Sequence, residues 1–279
     1  MITGTTKLAA VVGWPITHTK SPQMLNAAFG ATGIDAVLVP MAIEPAQLAS
    51  AVTALRTIGV IGANITVPHK LAVTALCDEL APTAKAIGAV NCLHFEGRHL
   101  VGHNTDGDGF LDSLVATGFD LRGKRVVILG AGGAARAVAY AVRGGRAIEV
   151  VARDPSKVTW ATAWPWDAEN LRDTFARADL VVDTTPVALG GSPQALADEV
   201  AWVDALPLPS MRPHVRVASL VYHRVPRLLE RAAALGYSTL DGRGMLVHQG
   251  ARAFTLWTGV AAPIDVMRAA LEQSIASST

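Results

Sequence analysis

Residues 124–136 read KRVVILGAGGAAR. Residues 126–129 form an apolar, β-branched run of strand length, and Gly130, Gly132 and Ala135 follow on GxGxxA spacing. An alanine-rich helical stretch then continues to about residue 142, and residues 148–152 read as a second strand. Strand, glycine turn, helix and strand together span about the 30 residues of a βαβ unit. Small residues are needed at such a turn because the backbone must bend tightly and approach a diphosphate closely. The helix N-terminus then points its free N–H groups at the anion. The competing reading is a tight strand-to-helix turn with no ligand.

Outward from this stretch, the chain has 279 residues, 51% of them hydrophobic, enough for two α/β domains with their own cores. A formal net charge of +1, with no basic tract, argues against nucleic acid as a partner. No apolar run reaches the roughly 18 residues of a membrane span, and the N-terminus does not read as a secretory signal, so a cytoplasmic protein without a membrane partner is expected. Cys77 and Cys92 are the only cysteines and form no CxxC pair, so free thiols are expected. His94, His99 and His103 fall on a hairpin pattern without tetrahedral spacing, and no metal is assigned to them.

In the first half, residues 8–12 read as a strand followed by a polar loop, ITHTKSP, and a helix opening at Ser21-Pro22. Thr19 and Ser21 either cap that helix or hold a carboxylate at its free N–H groups. Strand 37–42 and helix 45–58 lead to 60–70, VIGANITVPHK, a strand whose polar tip ends at Lys70. A lysine at a strand end can protonate a carbonyl oxygen when a carboxylate orients it; otherwise it is a solvated residue at the start of a helix over 69–77. Residues 88–95 and 99–102 read as a hairpin, with Asn91 a polar residue inside an apolar strand that bridges backbone or reaches a ligand. Asp106, ahead of helix 110–117, either caps it or orients Lys70.

In the second half, Arg153 and Asp154 lie 23 and 24 residues past Gly130. An acid there holds a ribose 2′-hydroxyl and an arginine a 2′-phosphate. Lys157 adds a cation that favours the phosphorylated cofactor, while Asp154 keeps the unphosphorylated one open. Strand 180–183 ends at Thr184-Thr185-Pro186, a further strand covers 215–221, and residues 187–213 give no readable pattern. Helices follow over 227–235, from Gly242 to Gly244 onward, and over 263–275. Gln249, polar among apolar neighbours, is either a helix–helix hydrogen bond or a substrate contact.

With these pieces in order, the sequence resembles the shikimate dehydrogenase family over nearly its whole length. The resemblance rests on GWPITHTKSPQMLN at 13–26, NITVPHK at 64–70, GAVN at 88–91, NTDGDG at 104–109, GAGGAA at 130–135 and MLVHQGARAFTLWTG at 245–259. It implies an α/β chain of two domains, residues 1–105 for substrate and 106–238 as a Rossmann-type nucleotide domain, with helices of 239–279 returning to the first. Substrate and cofactor are expected to meet in a cleft between them.

The implied activity is reversible hydride transfer between NADP, with NAD as the alternative, and a polyhydroxy cyclohexene or cyclohexane carboxylate, interconverting 3-dehydroshikimate and shikimate. Lys70 becomes the general acid/base paired with Asp106. Thr19 and Ser21 take the substrate carboxylate, Thr66, Asn91, Asp106 and Gln249 its ring hydroxyls, and Tyr222 stands near it. Gly130, Ala131, Gly132, Gly133, Ala134, Arg153, Asp154, Lys157, Thr184, Thr185, Pro186 and Gly242 become cofactor contacts. The chain departs from the family's usual residues at Thr19, Cys92, Ala152-Arg153-Asp154, Asp183-Thr184 and Ser219. Quinate or an aminated analogue therefore stays open as substrate, as do a catalytically idle nucleotide-binding module and a folate-type dehydrogenase. A monomer or homodimer is expected.

Overall fold

The computed structural model describes residues 2–277. In chain order its elements are β1 (Lys7–Gly13), α1 (Ser21–Thr32), β2 (Ala36–Ala42), α2 (Leu48–Thr57), β3 (Gly62–Ile65), β4 (Glu79–Leu80), α3 (Pro82–Ile87), β5 (Cys92–Glu96), β6 (His99–His103) and α4 (Asp106–Ala116). There follow β7 (Arg125–Leu129), α5 (Gly133–Ala141), β8 (Ala147–Ala152), β9 (Thr162–Pro165), α6 (Ala168–Arg177), β10 (Leu180–Asp183) and α7 (Pro193–Asp204). The chain closes with β11 (Arg216–Ser219), α8 (Arg227–Ala234), β12 (Ser238–Leu240), α9 (Arg243–Thr258) and α10 (Ile264–Ala276). Two compact units result, one running to Gly109 and resuming at Leu246, the other Phe110–Met245. The divisions fall inside α4 and α9, against expected limits at 105 and 238, so Asp106 belongs to the first unit.

The first unit is built on a mixed sheet of order β2-β1-β3-β5-β6-β4, with β1 parallel to β2 and β3 and the β5–β6 hairpin antiparallel. Alternate residues of β1 feed opposite faces, as the pleat requires. Ala9 and Val11 pack with Met24 and Phe29 of α1, Phe254 and Trp257 of α9, and Met267 and Leu271 of α10. Ala10 and Val12 pack instead with Leu48, Val52 and Leu55 of α2. The C-terminal helices thus complete one wall of the N-terminal core, and Trp257 Nε1 pins them by donating to the Leu93 carbonyl at 2.9 Å.

In the second unit all six strands run parallel in the order β12-β11-β10-β7-β8-β9. Val126 and Ile128 face a layer that holds Val138 of α5, while Val127 and Leu129 face one that holds Phe175 of α6. Strand order reverses between β7 and β10, and ligands of open α/β sheets bind outside the strand ends at such a point.

Two local expectations are corrected. Residues 69–77 do not form an α-helix; a turn is followed by a 3-10 segment at Ala72–Leu76. The Lys70 carbonyl accepts the N–H of Val90 at 2.8 Å instead of one four residues on, so a tertiary bond overrides helix propagation. Asn91 precedes β5 rather than lying within it, and its N–H donates to the His103 carbonyl at 3.0 Å. Helices α3 and α6 and the short strands β4, β9 and β12 add elements that the sequence pattern did not reveal.

Candidate active site

Lys70 emerges from the turn that follows β3, and Asp106 is the first residue of α4. Lys70 Nζ donates to Asp106 Oδ2 at 2.6 Å, with side chains only 19% and 6% exposed. Such a short, charge-assisted bond out of bulk water fixes both groups. The other carboxylate oxygen is also held, since Asn91 Nδ2 donates to Asp106 Oδ1 at 2.9 Å. The same amide nitrogen reaches Thr105 Oγ1 at 3.0 Å and Gln249 Oε1 at 3.3 Å, while Asn91 Oδ1 accepts the Thr105 N–H at 2.7 Å. One amide with two hydrogens and two lone pairs is thereby committed to three neighbours.

This geometry decides against capping by Asp106 and gives Asn91 and Gln249 protein partners. Asp106 does not cap α4, because both its oxygens face side chains and the Thr105 carbonyl accepts the first helical N–H, that of Gly109, at 2.9 Å. Asn91 bridges the loop and α4, and Gln249 joins its network while its Nε2 donates to Leu246 O at 3.0 Å. Glycine at 109 is required by close approach, since a Cβ there would stand 2.6 Å from the Gln249 backbone nitrogen. The NTDGDG and HQG segments, some 140 residues apart (249 − 109), meet through that contact.

Thr19 and Ser21 pair at the start of α1, Thr19 Oγ1 donating to Ser21 Oγ at 3.3 Å. Neither fills the cap position, which Lys20 occupies without a side-chain capping bond. Their hydroxyls thus stand beside helix N–H groups that lack intrahelical acceptors. Among the described residues the Thr66 hydroxyl has no hydrogen-bond partner, although its backbone is tied to Val12 and His69. Asn64 was missed: it is 5% exposed, and both of its amide side-chain atoms are buried without a partner. A polar residue between Ala63 and Ile65 carried the same signal as Asn91 did. Tyr222 lies in the second unit, in the loop between β11 and α8.

In the second unit, Gly130 has φ +100, and a Cβ there would press against Thr184 Oγ1 at 3.0 Å. Gly132 caps α5 in extended conformation with open space where a Cβ would be. The first intrahelical bond runs from Arg136 N to Gly132 O at 3.1 Å, so the N–H groups of Gly133, Ala134 and Ala135 have no intrahelical acceptor. Converging backbone donors beside open space, with small side chains at Ala131 and Ala134, fit a dinucleotide diphosphate. Beyond β8, Arg153 is exposed, and Asp154 accepts from Ser156 Oγ at 2.6 Å and Lys157 Nζ at 2.9 Å. The Ser156 hydroxyl, with Lys157, holds the Asp154 carboxyl below the usual carboxylate range.

Thr184 donates to the Leu129 carbonyl at 2.7 Å, and Thr185 donates to Asp183 through its N–H at 2.8 Å and its hydroxyl at 2.7 Å; Pro186 is exposed. Complete burial pushes Asp183 up to about 6 despite these bonds and that of Ser219. Gly242 is already committed, its N–H donating to Val221 O at 2.9 Å. Among the described residues no three His, Cys, Asp or Glu side chains group as metal ligands, and no helix is long and apolar enough to cross a membrane.

Residues 11–93 match the family described as the shikimate dehydrogenase substrate binding domain, and residues 242–272 the shikimate 5'-dehydrogenase C-terminal domain. The shikimate dehydrogenase (NADP(+)) of Geobacter metallireducens is 42% identical over 96% of each chain. A crystal structure of a shikimate dehydrogenase in complex with NADP+ superposes with TM-score 0.87 at 31% identity, covering 99% of this chain and 98% of that one. The shikimate 5-dehydrogenase of Thermus thermophilus, in complex with NADP(H) and shikimate, gives 0.83 at 32% identity over 96% and 100%. With identity of this level sustained across both units, this chain belongs to the shikimate dehydrogenase family.

Proposed function

We propose that the chain reversibly converts 3-dehydroshikimate into shikimate with NADP as its preferred cofactor, Lys70 acting as general acid/base. The observation that supports this reading above others is the Lys70–Asp106 pair, 2.6 Å apart, with the far carboxylate oxygen locked by Asn91. Reduction of a ketone builds negative charge on oxygen, and an ammonium held at that oxygen can donate a proton as the charge develops. In the oxidative direction the neutral amine takes the hydroxyl proton back. Asp106 keeps Nζ aimed, and its remaining acceptor capacity, with Asn91, Gln249 and the partnerless groups of Thr66 and Asn64, suits ring hydroxyls. The paired hydroxyls of Thr19 and Ser21 at the α1 N-terminus suit the carboxylate. Tyr222 is retained as a substrate contact.

The turn from Gly130 to Ala134 would hold the diphosphate, Arg153 and Lys157 a 2′-phosphate, and Thr184, Thr185, Pro186 and Gly242 the remainder. The nicotinamide supplies or accepts the hydride when the cofactor is bound. The first unit is proposed as the substrate domain, the second as the nucleotide domain. A cytoplasmic location and a monomeric or homodimeric state complete the reading.

The test is a steady-state panel of shikimate and quinate, each with NADP and NAD, run on the wild type and on Lys70→Ala. Shikimate with NADP is expected to give the highest kcat/KM, and Lys70→Ala to lose turnover while binding NADP. Preference for quinate would move the substrate assignment; NADP binding without turnover of either acid would favour an idle nucleotide-binding module.

A further inference from the structure

The loops leaving the C-terminal ends of β10 and β11 are joined by an ion pair that the proposed chemistry does not use. Glu199 of α7 is 2% exposed. Its Oε1 accepts the Arg227 N–H at 2.8 Å and Arg224 Nη1 at 3.3 Å, and its Oε2 accepts Arg224 Nη2. That same Nη2 donates to the Ala188 carbonyl at 3.0 Å. One guanidinium thus spans both loops: Arg224 lies two residues past Tyr222, and Ala188 two residues past Pro186.

The Glu199 carboxylate is buried and the Arg224 side chain 26% exposed; withdrawing the carboxylate and most of the guanidinium from water costs desolvation that their attraction barely repays, and an apolar pair of similar size would join α7 to the loops at least as firmly. What apolar packing would lack is direction. Of the four directed hydrogen bonds, one ties the loop 220–226, which has no regular secondary structure, straight to Ala188, and three run to Glu199 on α7, so the same guanidinium is held against both. Both loops lie at the carboxyl ends of their strands, on the side of β7 away from β8 and Arg153.

We propose that Glu199 and Arg224 are positioning residues, which set the Tyr222 loop in register with the Thr184–Pro186 loop. The proposal rests on reading Tyr222 as a substrate contact and residues 184–186 as cofactor contacts. The test compares Arg224→Met, Arg224→Lys and the double variant Glu199→Gln/Arg224→Met. Arg224→Met alone strands a buried carboxylate and is expected to lower Tm. The double variant removes both charges while the introduced amide still accepts the Arg227 N–H, so its Tm recovers. Its KM for shikimate and for NADP nevertheless stays raised about tenfold, and amide hydrogen exchange over residues 220–226 is faster than in the wild type. Arg224→Lys, which keeps the charge and loses the fork, falls between.

A double variant with wild-type Tm, exchange and both KM values overturns the proposal, as does faster exchange with unchanged KM values. Should the wild type turn over no shikimate, the substrate reading fails by itself. Exchange over 220–226 and the NADP Kd from fluorescence titration then decide: loosening in both supports the positioning role, and no change in either refutes it.

Discussion

The two units build their sites from different materials. In the first, Lys70, Asn91, Asp106 and Gln249 form a network of side chains drawn from four separate segments, in which most polar atoms bond another member and the Asn91 oxygen and Gln249 nitrogen bond neighbouring backbone. In the second, the feature facing the proposed cofactor is backbone: the N–H groups of residues 133–135 and the open space at Gly132. A side-chain site is exact in chemistry and fragile to substitution, whereas a backbone site tolerates change except where a new atom occupies the ligand's space.

The largest expected effect breaks the side-chain site alone. Lys70→Ala lowers kcat by about 10²–10⁴-fold, the usual worth of a positioned proton donor, with the NADP Kd measured by fluorescence unchanged. A Kd that moves in parallel would erase the contrast between the units. Next comes Asp183, buried in the second unit and raised to about 6 by that burial. Unfolded, it titrates near 3.8. Between those values the native state holds the extra proton, so this group's contribution to stability is full at low pH and is lost as pH rises through about 6. Asp183→Asn, which keeps an acceptor for Thr185, is therefore expected to raise stability at pH 8 by up to about 3 kcal/mol. The gain should vanish near pH 4, as read from urea unfolding at both pH values.

Gly109→Ala drives a methyl into the Gln249 backbone. It should cost about 2 kcal/mol in urea unfolding and lower kcat, because Gln249 and Asp106 share the network. Wild-type stability there would mean α4 and α9 can part freely. The smallest effect sharpens the comparison from the other side. Gly132→Ala meets no protein atom and keeps an allowed backbone, so Tm should hold while the NADP KM rises about tenfold, roughly 1.4 kcal/mol, through crowding of the diphosphate space. Equal KM values would mean the diphosphate does not approach this turn.

The same contrast explains what could be read from sequence. The backbone site was legible because its determinants are contiguous: residues 126–135 spell strand, turn and helix, and β7, β10 and α5 fall where the pattern puts them. Lys70 and Asp106 could be named from the family resemblance, yet their bond depends on how the chain turns after β3, where the Lys70 carbonyl binds Val90 and forestalls the expected helix. Asn64 carried the signal that singled out Asn91, a polar residue between apolar neighbours, but that its amide is left without a partner is a property of the folded chain alone. Glu199 lies in a stretch without readable pattern, and its partner Arg224 is a surface-type residue by composition. Their meeting is a property of the assembled loops only.

The wall that α9 and α10 complete over β1 also sets an order of events at the ribosome. The second unit is one unbroken stretch and can close while the chain is still being made, because domains fold as units from the N-terminal side. The first cannot: Val11, Met24 and Phe29 wait, uncovered, for Phe254, Trp257 and Leu271 to be synthesised. Gln249, the last member of the Lys70 network to be made, arrives on the same segment that seals this core. Nascent chains stalled just beyond the second unit should therefore already capture nucleotide but carry a sticky, unfinished partner, and competence for proton transfer should appear only with the closing helices.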